Sequence, residues 1–551
     1  MNNRVSLIGY LLLVFTGINL LAASFLVIMN QSIHGYIFIF SFFVSLIFLF
    51  FATEREQRFS RKTVVNLVIF IIIIGGAIKI SEKFYDFSYD GQAYHQEALI
   101  HMKDNWNPLY EQLTTGTAQD LWINHYAKGI WYLGTIIYEL TGNIESAKAF
   151  NFVLLISTFL ILVGYLQTKL NNVGLVIVVS SLMVLSPVVT NQIFTNYNDF
   201  FIVLLIINLI VGYLNYYETP NYKILINIFI SIILLVNIKF TALGYALILT
   251  GIPILLYIYN FYIAKASRKE KKQKILLLAF TICSSFIVAI AFVGSSSYIK
   301  NTITKGHPFY PLAGEGKVDI ITVNSPAGLS DLNRIEKMYV SIFSETYNGL
   351  EEEPKTKFPL SVSKEEIFYS KATDTRIGGF GPLFGLIVIL TLCLSLIYYR
   401  KIDKEQGYVF LILVAVIMIS IMINPEPWWA RYVPQLWIIP LLFVLLIVIN
   451  KIKSYVAYAI LLVYMLNILI IGYATMGDLY NSQMAMEDQL ESLKAYSNEA
   501  IPIEFGVYEA NRARLEEYGI NFKKVDSIEG CQNIIQLTYS TARACLDNQQ
   551  N

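Results

Sequence analysis

Charge is the scarcest property of this sequence. Of its 551 residues only 15% are Asp, Glu, Lys or Arg, against about 25% in soluble domains, which leaves too few to cover a water-facing surface. The charge present has no bias. Lys and Arg number 41 and Asp and Glu 40, for a net of +1, which gives no ground for a nucleic-acid partner. Four cysteines exclude a disulfide-built scaffold, and the scarcity of low-complexity runs excludes a collagenous or disordered chain. Abundant instead are apolar residues, at 55% of the chain and a mean hydropathy of +0.54. The class that remains is an all-α polytopic membrane protein. Plentiful Ile, Asn, Lys and Tyr fit an AT-rich bacterial genome, and hence a bacterial cytoplasmic membrane.

A helix crosses the hydrocarbon with about 20 apolar residues, because lipid offers its backbone no hydrogen-bond partners. About thirteen such runs are present, near 4–29, 34–52, 64–80, 146–166, 173–192, 199–216, 223–240, 243–263, 275–297, 379–399, 407–424, 435–450 and 454–474. The first lacks a small-residue cleavage site and reads as a retained helix rather than a signal peptide. Short basic loops stay in the cytoplasm. Arg55, Arg58, Arg61 and Lys62 follow the second run, Lys265 to Lys274 the eighth, Arg400, Lys401 and Lys404 the tenth, and Lys451 and Lys453 the twelfth. All share one side if the N-terminus is inside. Three large segments then lie outside: 81–145, 298–378 and an extracytoplasmic tail at 475–551. Cys283 and Cys393 fall within spans and read as packing residues. Cys531 and Cys545 share the outer tail, where a disulfide and free thiols are equally compatible with the sequence.

The first outer segment carries a distinctive pattern. Asp90 precedes a run of helix formers, which suits a plain N-terminal cap. Asp90, Tyr94, Glu97 and His101 are also spaced by 4, 3 and 4 residues, which predicts one stripe on a helix from about 90 to 104. A carboxylate, phenol, carboxylate and imidazole in a row can bind a metal or do acid–base work, or form a solvated face. A second helix is predicted at 118–141, with His125, Lys128 and Glu139; it is too short and polar to span and should lie along the outer interface. Further charges stand at outer membrane ends: Asp199 in FTNYNDFFI, Lys239 in NIKFTA, Glu426 and Arg431 in NPEPWWARYVPQ. Charges at hydrocarbon depth serve a pathway, a ligand or each other. A structural Asp199–Lys239 pair is the plain alternative, but it needs two residues where four places converge. Segment 298–378 opens with KGHPFYPL and closes with IGGFGPLFG, and its Pro and Gly content predicts an irregular cap rather than a packed domain.

At these residues the chain resembles the GT-C superfamily of membrane glycosyltransferases, in the branch holding protein O-mannosyltransferases and the aminoarabinose transferase of lipid A. Tyr89-Asp90-Gly91 stands where that family has a catalytic Asp, often as Tyr-Asp-Glu. GNIESAKAFNFVLL matches its next span, Asp199 its later acidic position, Lys239-Phe240-Thr241-Ala242 its Lys-x-Thr-Ala stretch, and Ala430-Arg431-Tyr432 its late Ala-Arg-Tyr. Two departures stand out. Gly91 replaces the usual Glu, whose role would move elsewhere, for instance to Glu97. The hairpin 1–63 precedes the usual first span, leaving a GT-C-like core at 64–297 whose catalytic outer loop is 81–145, and C-terminal helices at 379–474.

The resemblance implies an enzyme that moves a sugar from a polyprenyl-phosphate-linked donor to an acceptor hydroxyl on a glycan, lipid or protein at the outer face. Asp90 would be the general base, with Asp199 a second catalytic acid. Lys239 and Arg431 would hold the donor phosphate, Arg with a bidentate fork. Glu426, Tyr94, Tyr432 and His125 would complete the substrate site, and Trp428 and Trp429 would line a sugar or lipid groove. His95, Glu97 or His101 would hold a divalent metal, which some members use and others do not. A lipid-linked-sugar transporter should show internal repeats and polar residues deep in its spans, and neither is evident. A polysaccharide polymerase or ligase shares the late outer loop but gives no reason for the acid at Asp90.

Overall fold

The computed structural model describes residues 4–263, 268–320 and 322–547. Lys265 of the basic loop after the eighth expected span, and the last residues of the tail, lie outside them. Long runs of Leu, Ile, Val and Phe satisfy every backbone group within one segment and become helices. Among the described residues, nine are long and apolar enough to cross a membrane, from Arg4–Ile28 to Tyr455–Ala495. The other four expected spans fall on shorter apolar helices: Tyr36–Ala52, Val173–Val184, Tyr222–Val236 and Pro434–Ile449. Val173–Val184 has 12 residues and rises only about 18 Å. Its run is cut because Pro187 opens a separate helix, Pro187–Gln192, capped by the Ser186 hydroxyl.

The first helix of the N-terminal hairpin is packed within the bundle, whereas the second, Tyr36–Ala52, is largely exposed. Helix Arg4–Ile28 lies against Ala149–Leu166, where an added Cβ at Gly9 would come within 2.8 Å of the Ser157 carbonyl oxygen. The Ser157 hydroxyl donates to the Gly9 carbonyl at 2.7 Å. Small residues let membrane helices approach this closely and replace the hydrophobic drive that lipid does not supply.

The expected helix at 118–141 is two helices, Asp120–His125 and Gly129–Thr141. The break follows from a distant contact: the Gly129 amide donates to the Asn237 carbonyl at 3.0 Å, and a Cβ at 129 would sit 2.7 Å from that oxygen. Gly129–Thr141 is consequently buried along most of its length instead of lying on an interface. Segment 298–378 is also more ordered than its composition predicts. Helices Arg334–Phe343 and Lys364–Tyr369 each begin with a capping box, from Asn333 with Glu336 and from Ser363 with Glu366. Leu329 and Ile377 pack this cover onto Trp428 and Trp429.

The tail departs from an all-α fold. Tyr455–Ala495 has 41 residues and is about 60 Å long, twice the thickness of the hydrocarbon, about 30 Å. Its far half carries Met486, Leu490 and Leu493 under a four-stranded sheet. The strands β1 (Ile501–Glu504), β2 (Phe522–Lys524), β3 (Ile534–Gln536) and β4 (Arg543–Cys545) are ordered β2-β1-β4-β3. The β1–β2 pair is parallel, with helix Asn511–Glu517 as its crossover, and the other pairs are antiparallel. Cys531 and Cys545 are joined in a disulfide at the β4 end.

Candidate functional site

Asp90 does not cap its helix. Among the described residues its carboxylate takes no bond from the first turn; the Ser88 hydroxyl accepts the Gly91 amide instead. Ser88 is fixed in turn by the buried Asp86, whose Oδ1 accepts both the Ser88 amide and its hydroxyl. The other oxygen of Asp86 accepts the Asn196 amide at 2.6 Å and its side chain at 2.8 Å. This carboxylate therefore ties the Asp90 loop to the segment that opens helix Asp199–Glu218. Burial raises the Asp86 pKa, a cost opposed by Lys148 and the Ser88 bonds. The same crowding accounts for Gly91, since a Cβ there would stand 2.1 Å from Asp86 Oδ2.

Freed from capping, Asp90 reaches across the molecule. Its Oδ2 accepts from Arg431 Nη2 at 3.1 Å. Arg431 Nε lies 2.9 Å from Asp199 Oδ2, an ion-pair approach in which the N–H is not aimed along the contact. Asp199 Oδ1 accepts from Lys239 Nζ at 2.5 Å, and Gln192 reaches its Oδ2 at 3.4 Å. Asp374, from the cover formed by 298–378, stands 3.8 Å from Arg431 Nη1. Three carboxylates and two cations thus form one alternating network, which spreads the cost of burial over all its members. Burial opposes the Arg431 charge, but Asp199, Tyr197 and Asp90 together hold its pKa well above the ordinary arginine value. The guanidinium also lies over the rings of Tyr197 (4.8 Å) and Trp429 (5.1 Å).

This network forms one wall of a cavity of about 690 Å³. Asp90, Tyr94, Lys239, Arg431 and Tyr432 all line it, as expected from the sequence. Asp199 lies behind them, fully buried beneath Arg431 and Lys239, so it positions the two cations rather than facing the space. Trp429 lines the cavity, whereas Trp428 stacks behind it at 5.1 Å.

Other expected site residues are placed elsewhere. Glu426 turns to the cover, where both its oxygens accept from Lys337 at 2.9 Å. Its neighbours Asn424 and Pro425 line the cavity in its stead. His125 is buried against Asn301, with Nδ1 to Oδ1 at 2.7 Å, and burial lowers its pKa to about 4. The expected stripe of Asp90, Tyr94, Glu97 and His101 divides in two. A π-helical turn at Gly91–His95 precedes the α-helix Gln96–Lys103 and shifts the register by about one residue. Asp90 and Tyr94 face the cavity. Glu97 instead takes a fork from Arg512 of the tail at 2.6 and 2.8 Å and lies 2.8 Å from His101. His95 Nδ1 accepts from the Trp131 indole at 2.6 Å. The three candidate metal ligands therefore do not converge. Among the described residues, the group of such donors that could share an ion is Cys531, Cys545 and Asp547, and its two thiols are spent in the disulfide.

The residues the sequence reading missed come from the cover and the tail. Asp374 and Arg376 line the cavity just before the IGGFG segment. Arg376 is held by the Asn324 and Asn348 carbonyl oxygens and lies over Trp429. Arg514 of the tail is almost fully buried, donating to Glu145 Oε1 at 2.8 Å and to the Asp86 carbonyl at 2.6 Å. Glu145 also pairs with Lys148, so the GNIESAK stretch is the anchor of the Asp90 loop. No family model matches this chain, and no curated protein matches it.

Proposed function

We propose that the protein is a glycosyltransferase of the bacterial cytoplasmic membrane, crossing it about thirteen times with its N-terminus inside and its cavity at the outer face. It takes a sugar from a polyprenyl-phosphate donor and passes it to an acceptor hydroxyl. The observation that carries this reading is the Asp90–Arg431–Asp199–Lys239 network, in which a carboxylate and two cations from distant parts of the chain line one cavity at the end of an apolar helical bundle. The GT-C resemblance assigns a role to each of these residues.

In this reading the donor phosphate sits against Lys239 and Arg431. The acceptor oxygen attacks the anomeric carbon as Asp90 removes its proton. The bond from that carbon to the phosphate oxygen breaks, its electron pair stays on the phosphate, and the configuration inverts. Arg431 stabilises the negative charge on the departing group and, through its contact with Asp90, fixes the base beside the reacting carbon. Asp199 does not touch substrate; it keeps both cations in place and offsets their charge before the donor enters. A divalent metal fits this donor set poorly, because Glu97 is engaged by Arg512 and His101, and the carboxylates near the cavity converge on Arg431. No step is routed through one.

The test compares the envelope of cells carrying the wild-type gene with that of cells carrying Asp90→Asn at matched expression, by mass spectrometry of glycan, lipid and protein fractions. Loss of one sugar from one fraction is expected. Loss of whole polymer chains would favour a polymerase, and an unchanged envelope would end the transferase reading.

A further inference from the structure

The cavity mouth has a second wall that the reacting groups do not use. Tyr89 lines the cavity immediately before Asp90, yet the residue is 52% exposed. Facing it is Tyr508 of the C-terminal domain, with ring centroids 5.7 Å apart and planes at 76°. The two rings come from segments more than 400 residues apart; Tyr89 is the exposed one, and Tyr508 is partly buried behind it.

Tyr508 is anchored through its backbone. Tyr508 sits on the turn that follows β1, where Gly506 has φ +61° and leaves no room for a Cβ, which would meet Thr541 Oγ1 at 2.5 Å. The Thr541 hydroxyl donates to the Phe505 carbonyl and accepts the Val507 amide. Beyond the turn, Asn511 bonds the Gln92 side chain and Arg512 forks onto Glu97. The turn is therefore clamped to the same helix that Asp90 opens. The charges beside Tyr508 are paired with each other, Glu97 with Arg512 and Glu509 with Lys524.

Tyr89, half-exposed at the cavity with the Tyr508 ring set edge-on beside it, has a specific use. Each ring offers a flat apolar face to the C–H face of a pyranose and a hydroxyl to its polar edge. A rim built partly by a domain of exposed strands, beyond the membrane-length part of the last helix, gives little hold to a glycerolipid tail. Gln119 and Asn198 also line the cavity, and side-chain amides of this kind hydrogen-bond sugar hydroxyls.

We propose that Tyr89 and Tyr508 form an acceptor subsite for a saccharide, so that the hydroxyl deprotonated by Asp90 belongs to a glycan chain. This rests on the transferase reading above and narrows its acceptor class. The balance is unchanged: the glycan oxygen gains the sugar, its proton goes to Asp90, and the phosphate leaves with the bonding pair.

The test uses the full chain in cells lacking the native gene, complemented at matched expression with wild type, Asp90→Asn, Tyr508→Ala, Tyr508→Phe and Tyr89→Ala. The sugar that disappears in Asp90→Asn is quantified by mass spectrometry in polysaccharide, glycolipid and protein fractions. We expect it in the polysaccharide fraction, with occupancy lowered about fivefold by Tyr508→Ala and kept within about twofold by Tyr508→Phe, which retains the ring. Should Tyr508→Ala fail to accumulate, Tyr89→Ala carries the same expectation from the other side of the pair. Finding the sugar on protein or glycolipid overturns the proposal, as does wild-type occupancy in both alanine variants. In each of those cases loss of transfer in Asp90→Asn still upholds the transferase reading, whereas an unchanged envelope in Asp90→Asn overturns both.

Discussion

Arg431 and Asp90 are 341 residues apart in sequence and 3.1 Å apart in space. The contact joins the first large loop to the segment before the helix Pro434–Ile449. It also gives the cavity a carboxylate whose direction is set by a cation that Asp199 fixes from behind.

Removing the Asp90 charge should separate chemistry from folding. Asp90→Asn keeps the size of the side chain and an oxygen able to accept from Arg431, while removing the base. The expected outcome is a loss of transfer of about a hundredfold or more, with the thermal midpoint of the detergent-purified protein close to wild type. Substantial residual transfer would sink the assignment of Asp90 as the base.

Arg431→Lys keeps one positive charge and loses the fork. A lysine cannot meet Asp90, Asp199 and Asp374 together or lie flat between Tyr197 and Trp429. Donor use should weaken about tenfold, read as a raised apparent KM for lipid-linked donor in a vesicle assay. An unchanged donor dependence would argue against the phosphate role.

Arg514 is a structural prediction. With Arg514→Met, the buried Glu145 keeps Lys148 but loses its second cation, and the Asp86 carbonyl loses its donor. A loss of about 3 kcal/mol is expected for breaking a buried pair of this kind, measured as a drop in thermal midpoint. A truncation that removes the chain after Ala495 should loosen the Asp90 loop in the same way, detectable as faster amide exchange over residues 84–97.

Acid should destabilise the fold through two imidazoles. Burial lowers the pKa of His95 to about 3 and that of His125 to about 4, from an ordinary 6.5. In the unfolded chain both take up protons as pH falls below 6.5; in the folded protein neither does until far lower. The unfolded state then binds more protons, and stability drops as pH is lowered from 6.5 toward 4. Thermal midpoints across that window should show the slope, and His125→Gln should reduce it.

The sequence made the apolar runs legible because each closes its own hydrogen bonds, and it made Asp90, Lys239 and Arg431 legible because charge at membrane depth is costly. What it hid depends on partners far along the chain. Asp374 reads as one more loop acid until Trp429, whose indole donates to its carbonyl at 2.9 Å, holds it at the cavity. The break between His125 and Gly129 carries no strong stop signal, because Asn237 imposes it. The divided stripe turns on one π-helical turn, and a one-residue shift in register has no compositional mark. Strands of three or four residues in the tail are too short for an alternating pattern to distinguish them from loop.

Gly91 is held to glycine by local crowding. A Glu following Asp90 would need a Cβ with Asp86 Oδ2 at 2.1 Å and Ser88 Oγ at 2.4 Å. Neither can yield cheaply, since Asp86 is fully buried and holds both Ser88 and Asn196. Gly91→Glu should therefore cost about 3 kcal/mol or more through overpacking and a second buried carboxylate, and even Gly91→Ala should lower the thermal midpoint. Pairing Gly91→Ala with Asp86→Ala should recover part of that loss by opening the space, although the double variant gives up the tie to Asn196. If Gly91→Ala is as stable as wild type, the loop is not held as described and the position of Asp90 has another origin.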